Sequence, residues 1–305
     1  WPERFARLGP VSLDAATEPN RQRGVIAVDI GGTKLAAAVV LENGSIVVRD
    51  RIATPTRDPW SALAALLTRI RAAAPDIDIV GCGTGCGGPM EPGGVTVSPL
   101  HIPAWRDFPL VGNLSDLLGV PVFVDNDAKT FALGEGWLGA ARGVRNFIGI
   151  IVGTGVGGGL VIDGHLLQGD TTNAGHIGHV IVEPDGLACR CGARGCLEAY
   201  ASGSAIQAET GQEARYAKPM LVNRNGVLLG RAIASVAALT SIELAVIGGG
   251  IGLGWGAAFH DAARHEFTER SRLSFASALT IVPAALGDRS GLVGAAALAW
   301  NGIGV

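Results

Sequence analysis

The sequence predicts an α/β protein built from two similar halves that face each other across a cleft. Short β-rich runs alternate with helical patterns, and a strand–turn–strand opening with a glycine-rich turn occurs twice, as DIGGTK at 29–34 and as GTGVGGG at 153–159. A chain of 305 residues is long enough for two domains that each bury a core.

The first half is predicted to open with strands and to continue with a helix. Residues 1–23 are polar and without period, so we expect an N-terminal extension there. Apolar spacing predicts a helix over 61–74, and the buried run at 77–84 returns as a strand parallel to the first. Three β-rich runs separated by turns predict an antiparallel meander: 25–30, 35–41 and 45–52.

The second half repeats this scheme. Its predicted strands are 120–126, 146–152, 160–164 and 243–250. The first of them leads into a predicted helix at 127–139, and a second helix is predicted at 291–300. We therefore expect an N-terminal domain over 24–125, completed by a C-terminal helix at 290–305, and a C-terminal domain over 126–289.

The composition argues against several classes of partner. A net charge of −3 without a long basic run disfavours nucleic-acid binding. Apolar runs are short, which disfavours a membrane span, and the first ten residues are too charged for a signal peptide. Three of the five cysteines lie between 189 and 196, a pattern that suits a metal in a reducing cytoplasm better than disulfides. We therefore expect a cytoplasmic location.

The glycine-rich segments indicate a nucleotide site of a particular kind. GTGVGGG satisfies G-x-G-x-x-G, but a β-run follows it where a Rossmann fingerprint needs a helix, and the chain contains no G-x-x-x-x-G-K-S/T. Two corresponding hairpin turns, 29–34 and 153–157, could instead present backbone N–H groups to phosphates. Asp29 could hold Mg²⁺ through water, so that the pair would clamp ATP. The alternative is that both are only tight β-turns.

A set of motifs in order along residues 24–305 resembles the ROK (repressor, open reading frame, kinase) family of the actin-like ATPase superfamily: DIGGTK, VDNDA, GTGVGGG, GHIGH and CxCGxxGCLEAYASG. The resemblance implies a ribonuclease H-like duplicated α/β fold, a homodimer, and a cleft in which ATP and a hexose meet. It assigns the nucleotide contacts to the glycine-rich segments: Asp29, Gly31, Gly32, Thr33, Lys34, Gly153, Thr154, Gly155, Gly249 and Gly250.

The strand-to-helix junction VDNDA supplies the candidate base. Phosphoryl transfer to a sugar hydroxyl needs an acceptor for its proton and little other covalent help. By resemblance Asp127 is that base, while Asn126 and Gly88 contact the sugar. The alternative is that Asp127 only caps the helix that follows.

The cysteine cluster predicts a structural zinc site. The ligand set is H-x9-C-x-C-x4-C, which fills all four tetrahedral positions of Zn²⁺: His179, Cys189, Cys191 and Cys196. The surrounding loop, 179–196, has too little apolar content to fold alone. The resemblance implies that the metal fixes a loop carrying sugar contacts, with the second ring nitrogen of His179 and the carboxylate of Glu198 among them. Buried thiols without metal are the alternative, which we prefer for Cys82 and Cys86.

One position departs from the family pattern. Most ROK hexokinases have Glu where this chain has His176, another expected sugar contact. A neutral imidazole offers one donor and one acceptor whereas a carboxylate only accepts, so the sugar that is read should differ. The GHIGH form resembles bacterial N-acetylmannosamine kinases, which predicts ATP-dependent phosphorylation of that sugar at its 6-hydroxyl. A glucokinase and an N-acetylglucosamine kinase are the alternatives.

Two further expectations concern the rest of the chain. The predicted extension at 1–23, which precedes the strand leading into DIGGTK, contains no helix pair, which disfavours a sugar-responsive repressor, and a non-catalytic sugar-binding regulator is the weaker alternative. The segment 209–232 is shorter and less periodic than the helical segment that the resemblance implies, so we expect an altered adenine pocket or a missing piece of chain there.

Overall fold

A computed structural model describes residues 21–304. Its first sheet has the strand order β3-β2-β1-β4-β5. The strands are β1 (Gln22–Ile30), β2 (Lys34–Leu41), β3 (Ile46–Ala53), β4 (Ile77–Cys86) and β5 (Val122–Asn126). The first three form the predicted antiparallel meander, and β4 and β5 add in parallel. The prediction that the strand at 120–126 belongs to the second half is wrong, because β5 pairs with β4 in the first sheet.

The second sheet has the strand order β10-β9-β6-β7-β8. Its strands are β6 (Phe147–Val152), β7 (Val156–Ile162), β8 (His165–Leu166), β9 (Leu244–Gly248) and β10 (Thr280–Pro283). Here too an antiparallel meander is extended by two parallel strands on the far side of its first strand. The predicted duplicated α/β architecture is therefore confirmed.

Helices cover both sheets. Those in the first half are α1 (Pro59–Ala72) and α2 (Leu110–Leu118), and α3 (Asp127–Leu138) follows them and packs on the second sheet. Those in the second half are α4 (Glu198–Ala201), α5 (Gly203–Thr210), α6 (Pro219–Thr240), α7 (Gly249–Gly254), α8 (Gly256–Arg270) and α9 (Ser290–Gly302). None of the helices in residues 21–304 has the length and apolar character needed to cross a bilayer.

The core of the first half lies on the two faces of its sheet. The helix α1 begins after Asp58, whose side chain accepts a hydrogen bond from Ser61 N at 3.0 Å, and it buries Leu63 and Leu67 against one face. On the opposite face, α9 packs its alanines and Trp300 against β1 and β2. The last helix of the chain therefore shares a core with the first strands.

The structure corrects the sequence predictions at the ends of two elements. The strand β1 begins at Gln22, so the extension predicted for 1–23 loses its last two residues to the sheet, and residues 1–20 lie outside the described residues. Only 153–155 of GTGVGGG form a turn, because Gly157–Gly159 belong to β7. A Cβ at Gly159 would lie 2.8 Å from Lys129 Cα, so these glycines let α3 approach the strand closely.

The second half of the segment 209–232, whose sequence is less periodic than the resemblance implies, is helical in the structure. The helix α6 is continuous from Pro219 to Thr240. Its apolar period is interrupted by Gly226 and Gly230, whose added Cβ atoms would lie 2.5 Å from Phe259 O and 2.4 Å from Ala263 O of α8. Glycine takes the place of larger apolar residues at this helix crossing, which hides the helical pattern in the sequence.

Candidate active site and metal centre

The parallel strands of the first sheet bring the predicted sugar and catalytic residues to one edge. Ile30, Cys86 and Asn126 are register partners at the carboxyl ends of β1, β4 and β5. Asp29, one residue before the end of β1, therefore lies near this edge, Asp127 comes directly after β5, and Gly88 comes two residues after β4. Side chains at this edge project into the crevice beyond the strand ends, where ligands bind in open α/β sheets.

Asp127 is the first residue of α3, and its neighbour performs the capping. The side chain of Asn126 accepts a hydrogen bond from Ala128 N at 3.0 Å, as an N-cap residue does. Asp127 Oδ1 also accepts from Ala128 N, at 2.9 Å. The helix therefore begins on Asn126, and a capping role does not account for Asp127 by itself.

The surroundings of Asp127 favour its protonated form. Burial raises the pKa of the Asp127 carboxyl, and the nearby charge of Asp29 raises it further. The hydrogen bond from Ala128 N and the proximity of His101 oppose this rise. A carboxylate with a raised pKa beside a second carboxylate is suited to accepting a proton.

Asp29 is itself half-buried at the start of the first glycine-rich turn. Burial raises the pKa of the Asp29 carboxyl, and Lys34, whose Nζ lies 3.5 Å from Asp29 Oδ2, opposes this shift. The turn closes through a hydrogen bond from Gly31 N to Lys34 O at 2.9 Å. Thr54, which the sequence analysis did not select, braces it by donating from Oγ1 to Gly31 O at 2.7 Å.

The second turn, 153–155, lies at the equivalent edge of the second sheet. Gly203 N donates to Gly153 O at 2.8 Å, and Ser204 donates to Thr154 O from both its backbone N and its Oγ. The segment that follows the predicted metal loop thus supports this turn. The glycines at 249 and 250 begin α7 beside the same edge, directly after β9.

The predicted metal ligands converge. One ligand atom from each of four side chains lies within 4.8 Å of the others: His179, Cys189, Cys191 and Cys196. Cys191 Sγ and Cys196 Sγ are 3.7 Å apart, and Cys189 Sγ and His179 Nδ1 are 3.9 Å apart. Tetrahedral zinc with bonds of about 2.3 Å to sulfur separates its ligands by roughly 3.8 Å, so the donor set fits Zn²⁺.

The other two cysteines do not belong to this cluster. Cys82 and Cys86 are buried in β4, in the core of the first half. Burial raises the pKa of the Cys82 thiol to about 12, and the pKa of Cys86 is also raised by burial. Both are therefore unreactive core thiols at neutral pH.

Glu198 joins the metal loop to the second turn. Its Oε2 accepts a hydrogen bond from Val156 N at 2.9 Å, immediately after the turn at 153–155. The resemblance implies a sugar contact for Glu198. In the structure one of its oxygens accepts from the first residue of β7, directly after the second glycine-rich turn.

His176 is held in a defined tautomer. Its Nδ1 lies 2.8 Å from Asn173 O, and because a carbonyl oxygen can only accept, Nδ1 carries the hydrogen. The free Nε2 of the neutral ring is then an acceptor. In this arrangement the donor of the neutral imidazole is used by Asn173 O, and the acceptor is the group left for a ligand. The ring lies nearly parallel to that of His179, with 6.2 Å between centroids.

Other polar residues near the site have no motif that signals them. A Cβ at Gly32 would lie 2.3 Å from His101 Cβ, so the loop carrying His101 rests on the first turn. Lys129 is buried near the start of α3 and bonds to residues before His176. The one sequence feature that points to Lys129 is its position four residues after Asp125, whose carboxylate could pair with it.

Comparisons with known proteins agree with this geometry. The ROK family model matches residues 25–301. An N-acetylmannosamine kinase of Vibrio cholerae is 38% identical over 250 residues, 76% of this chain and 85% of that protein. A glucokinase of Thermotoga maritima is 32% identical over 315 residues, 92% of this chain and 98% of that protein.

Solved structures agree as well. The ROK glucokinase of Streptomyces griseus, solved with glucose and AMPPNP, is 33% identical with a TM-score of 0.76, covering 91% of this chain and 99% of that one. Fold, site geometry and the family match over 25–301 lead to one conclusion: the chain belongs to the ROK family.

Proposed function

We propose that this protein transfers the γ-phosphoryl group of MgATP to the 6-hydroxyl of a hexose or N-acetylhexosamine. The observation that carries the proposal is Asp127, a carboxylate that follows β5 at the edge where β1, β4 and β5 end in register and that lies near Asp29, the first residue of the first glycine-rich turn. The kinase names of similar proteins, and the AMPPNP and glucose bound to the Streptomyces griseus enzyme, support it.

Each part of the site has a task in this reaction. The turns 31–34 and 153–155 would present backbone N–H groups to the phosphates, and Asp29 would hold the Mg²⁺ of the nucleotide through water. Asp127 accepts the proton of the 6-hydroxyl as that oxygen attacks the γ-phosphorus, and ADP leaves. Asn126, Gly88 and the second ring nitrogen of His179 orient the sugar.

The preferred sugar in this proposal is N-acetylmannosamine. A carboxylate can accept hydrogen bonds on two oxygens, whereas the Nε2 of His176 has a single lone pair. An acetamido sugar has an amide, with one N–H donor and one carbonyl acceptor, where glucose has its 2-hydroxyl, so the group that a single acceptor would read differs between the two sugars. The 38% identity to the Vibrio cholerae N-acetylmannosamine kinase supports the same sugar.

Glucose is the second candidate. The Thermotoga maritima glucokinase aligns with 92% of this chain, a longer match than the 76% of the N-acetylmannosamine kinase. Since an imidazole acceptor can replace one of the bonds made by a carboxylate, a glucokinase could also function with histidine at 176.

A panel of sugars in an ATP-coupled assay tests both statements. We expect kcat/KM for N-acetylmannosamine to exceed that for glucose and N-acetylglucosamine by at least about tenfold, the range for one mismatched polar contact. Glucose turned over at least as efficiently would replace the first candidate by the second. No phosphorylation of any sugar would refute the kinase proposal.

The proposal includes a structural zinc ion and a homodimer. His179 and the three cysteines would hold the zinc, which supplies folding energy to a loop without a core of its own. Elemental analysis measures the metal, and light scattering after size-exclusion chromatography measures the mass of the assembly.

A further inference from the structure

We infer that Lys129 is a positioning residue for sugar recognition: it ties the first turn of α3 to the loop 167–176, which ends at His176. The inference rests on the proposed function, because His176 is taken there as a sugar contact. It adds a residue that does not touch the sugar and acts through the loop.

The ammonium group of Lys129 is fully enclosed. Its side chain is 1% exposed, and its Nζ lies 3.5 Å from Asp125 Oδ1. It donates to Gln168 Oε1 at 2.5 Å and to Thr172 O at 2.6 Å. Gln168 in turn donates from Nε2 to Asp125 Oδ2 at 2.9 Å, which closes a ring of contacts. Three acceptors meet the three donors of the ammonium group.

A buried lysine at this position requires a reason other than packing. Burial lowers the pKa of Lys129, and Asp125 opposes that shift. An apolar side chain would fill the same volume between α3 and β7 without the free-energy cost of removing a charge from water. Buried ion pairs give little net stability. Two of the lysine's partners, Gln168 and Thr172, belong to the loop before His176. The contact therefore selects a loop conformation.

The loop conformation needs such a restraint at Thr172. This residue has a φ of 59°, a left-handed conformation that is unfavourable for a β-branched residue. Its carbonyl accepts from Lys129, and the next carbonyl along the chain, that of Asn173, accepts from His176 Nδ1. Lys129 thus fixes the peptide that precedes the partner of His176.

The consequence is a defined acceptor at the sugar. While Asn173 O holds Nδ1–H, the neutral ring presents Nε2 as an acceptor. If Thr172 relaxes to an ordinary conformation, Asn173 O moves and His176 can adopt either tautomer and other ring orientations. Sugar binding and discrimination between sugars then weaken, whereas the nucleotide turns at 31–34 and 153–155 keep their own contacts.

The test uses Lys129→Met and the double variant Asp125→Asn/Lys129→Met. The double variant is included because the single variant leaves the buried carboxylate of Asp125 without its cation and could fold poorly. Lys218→Met is the matched control, because Lys218 is exposed and its side chain makes no capping bond at the start of α6. Readouts are KM for N-acetylmannosamine and for ATP, kcat, the kcat/KM ratio of N-acetylmannosamine to glucose, and hydrogen exchange of 167–176.

We expect the double variant to raise the sugar KM by roughly 10- to 100-fold, the range for losing one hydrogen bond to a charged group. The sugar ratio should fall toward one, exchange in 167–176 should accelerate, and the ATP KM should stay within about twofold. Unchanged sugar KM and unchanged exchange would overturn the inference. Equal losses in both KM values and in thermal stability would also overturn it, since they indicate a merely structural role.

Failure of the proposed function gives a different result. If wild type phosphorylates none of the sugars, the kinase proposal fails while the loop contact can still be tested. Exchange of 167–176 then decides: faster exchange in the double variant than in Lys218→Met supports the contact, and equal exchange overturns it.

Discussion

Replacing Asp127 by asparagine should separate the chemistry of the site from its stability. The substitution keeps the shape of the side chain and an oxygen that can accept from Ala128 N, so α3 should begin as before. Removal of a general base typically lowers turnover by roughly two to four orders of magnitude. We therefore expect Asp127→Asn to lose this much kcat while sugar affinity measured by calorimetry changes little.

Stability should change in the opposite direction. Because burial and the charge of Asp29 raise the folded-state pKa of Asp127, ionised Asp127 opposes folding at neutral pH. The penalty is absent below the unfolded pKa of about 3.9, grows as pH rises to the folded pKa, and is constant above it. A folded-state pKa that is higher by one than the unfolded value costs about 1.4 kcal/mol of stability. Asp127→Asn should therefore raise Tm at pH 7, with a gain that disappears near pH 4.

Asp125→Asn is the matched comparison. Asp125 lies two residues earlier on the same chain segment, but its partner is the Lys129 cation. Neutralising it leaves a buried ammonium without its counter-ion, so Tm should fall. Near wild-type turnover of Asp127→Asn would remove Asp127 as the base. A fall in Tm at pH 7 similar to that of Asp125→Asn would refute the electrostatic reasoning.

Three further predictions concern the metal, the sugar and the interior. Elemental analysis should find about one zinc per chain. Cys191→Ser should lower the zinc content and also the nucleotide affinity, because Glu198 couples the metal loop to the second turn. The control variant Cys82→Ala should keep its zinc. His176→Glu should shift the kcat/KM ratio toward glucose in the coupled assay, and an unchanged ratio would remove this residue as a determinant. Glu135→Ala should lower the free energy of unfolding in urea by about 3 kcal/mol or more, since it leaves several buried donors without an acceptor; a loss under about 1 kcal/mol would contradict this.

Local patterns predicted the elements of this fold well because their causes are local. The meander at 22–53 follows from alternating β-rich runs and turn residues, and the metal cluster follows from cysteines a few positions apart. The strand-to-helix junction that places Asn126 and Asp127 at a sheet edge was also predicted locally, whereas the roles expected of these two residues come from the resemblance. Each of these inferences needs only a short window of sequence.

Contacts between distant residues were beyond such patterns. The carboxylate of Glu135 accepts from Leu286 N, 151 positions away, and Lys129 reaches Gln168, 39 positions away. Nothing in either local sequence shows that a charged helix residue is buried with partners of this kind. The turn predicted for the glycines at 157–159 was wrong for another reason: glycine is used both in phosphate-binding turns and where two backbones pack closely.

Contacts at the two ends of α3 could hold Asp127, the proposed base, in place while the loop that ends at His176 changes. At its start, Lys129 connects the helix to the loop that ends at His176. At its other end, Glu135 accepts from Ser290 Oγ and from backbone groups at 285 and 286, so the helix is tied to the beginning of α9. Because α9 packs on the first sheet and α3 packs on β7 of the second, Asp127 lies on an element that contacts both halves. We therefore expect variation of sugar preference to fall on the loop, where a change at 176 or 168 would alter recognition without moving the carboxylate that we propose as the base.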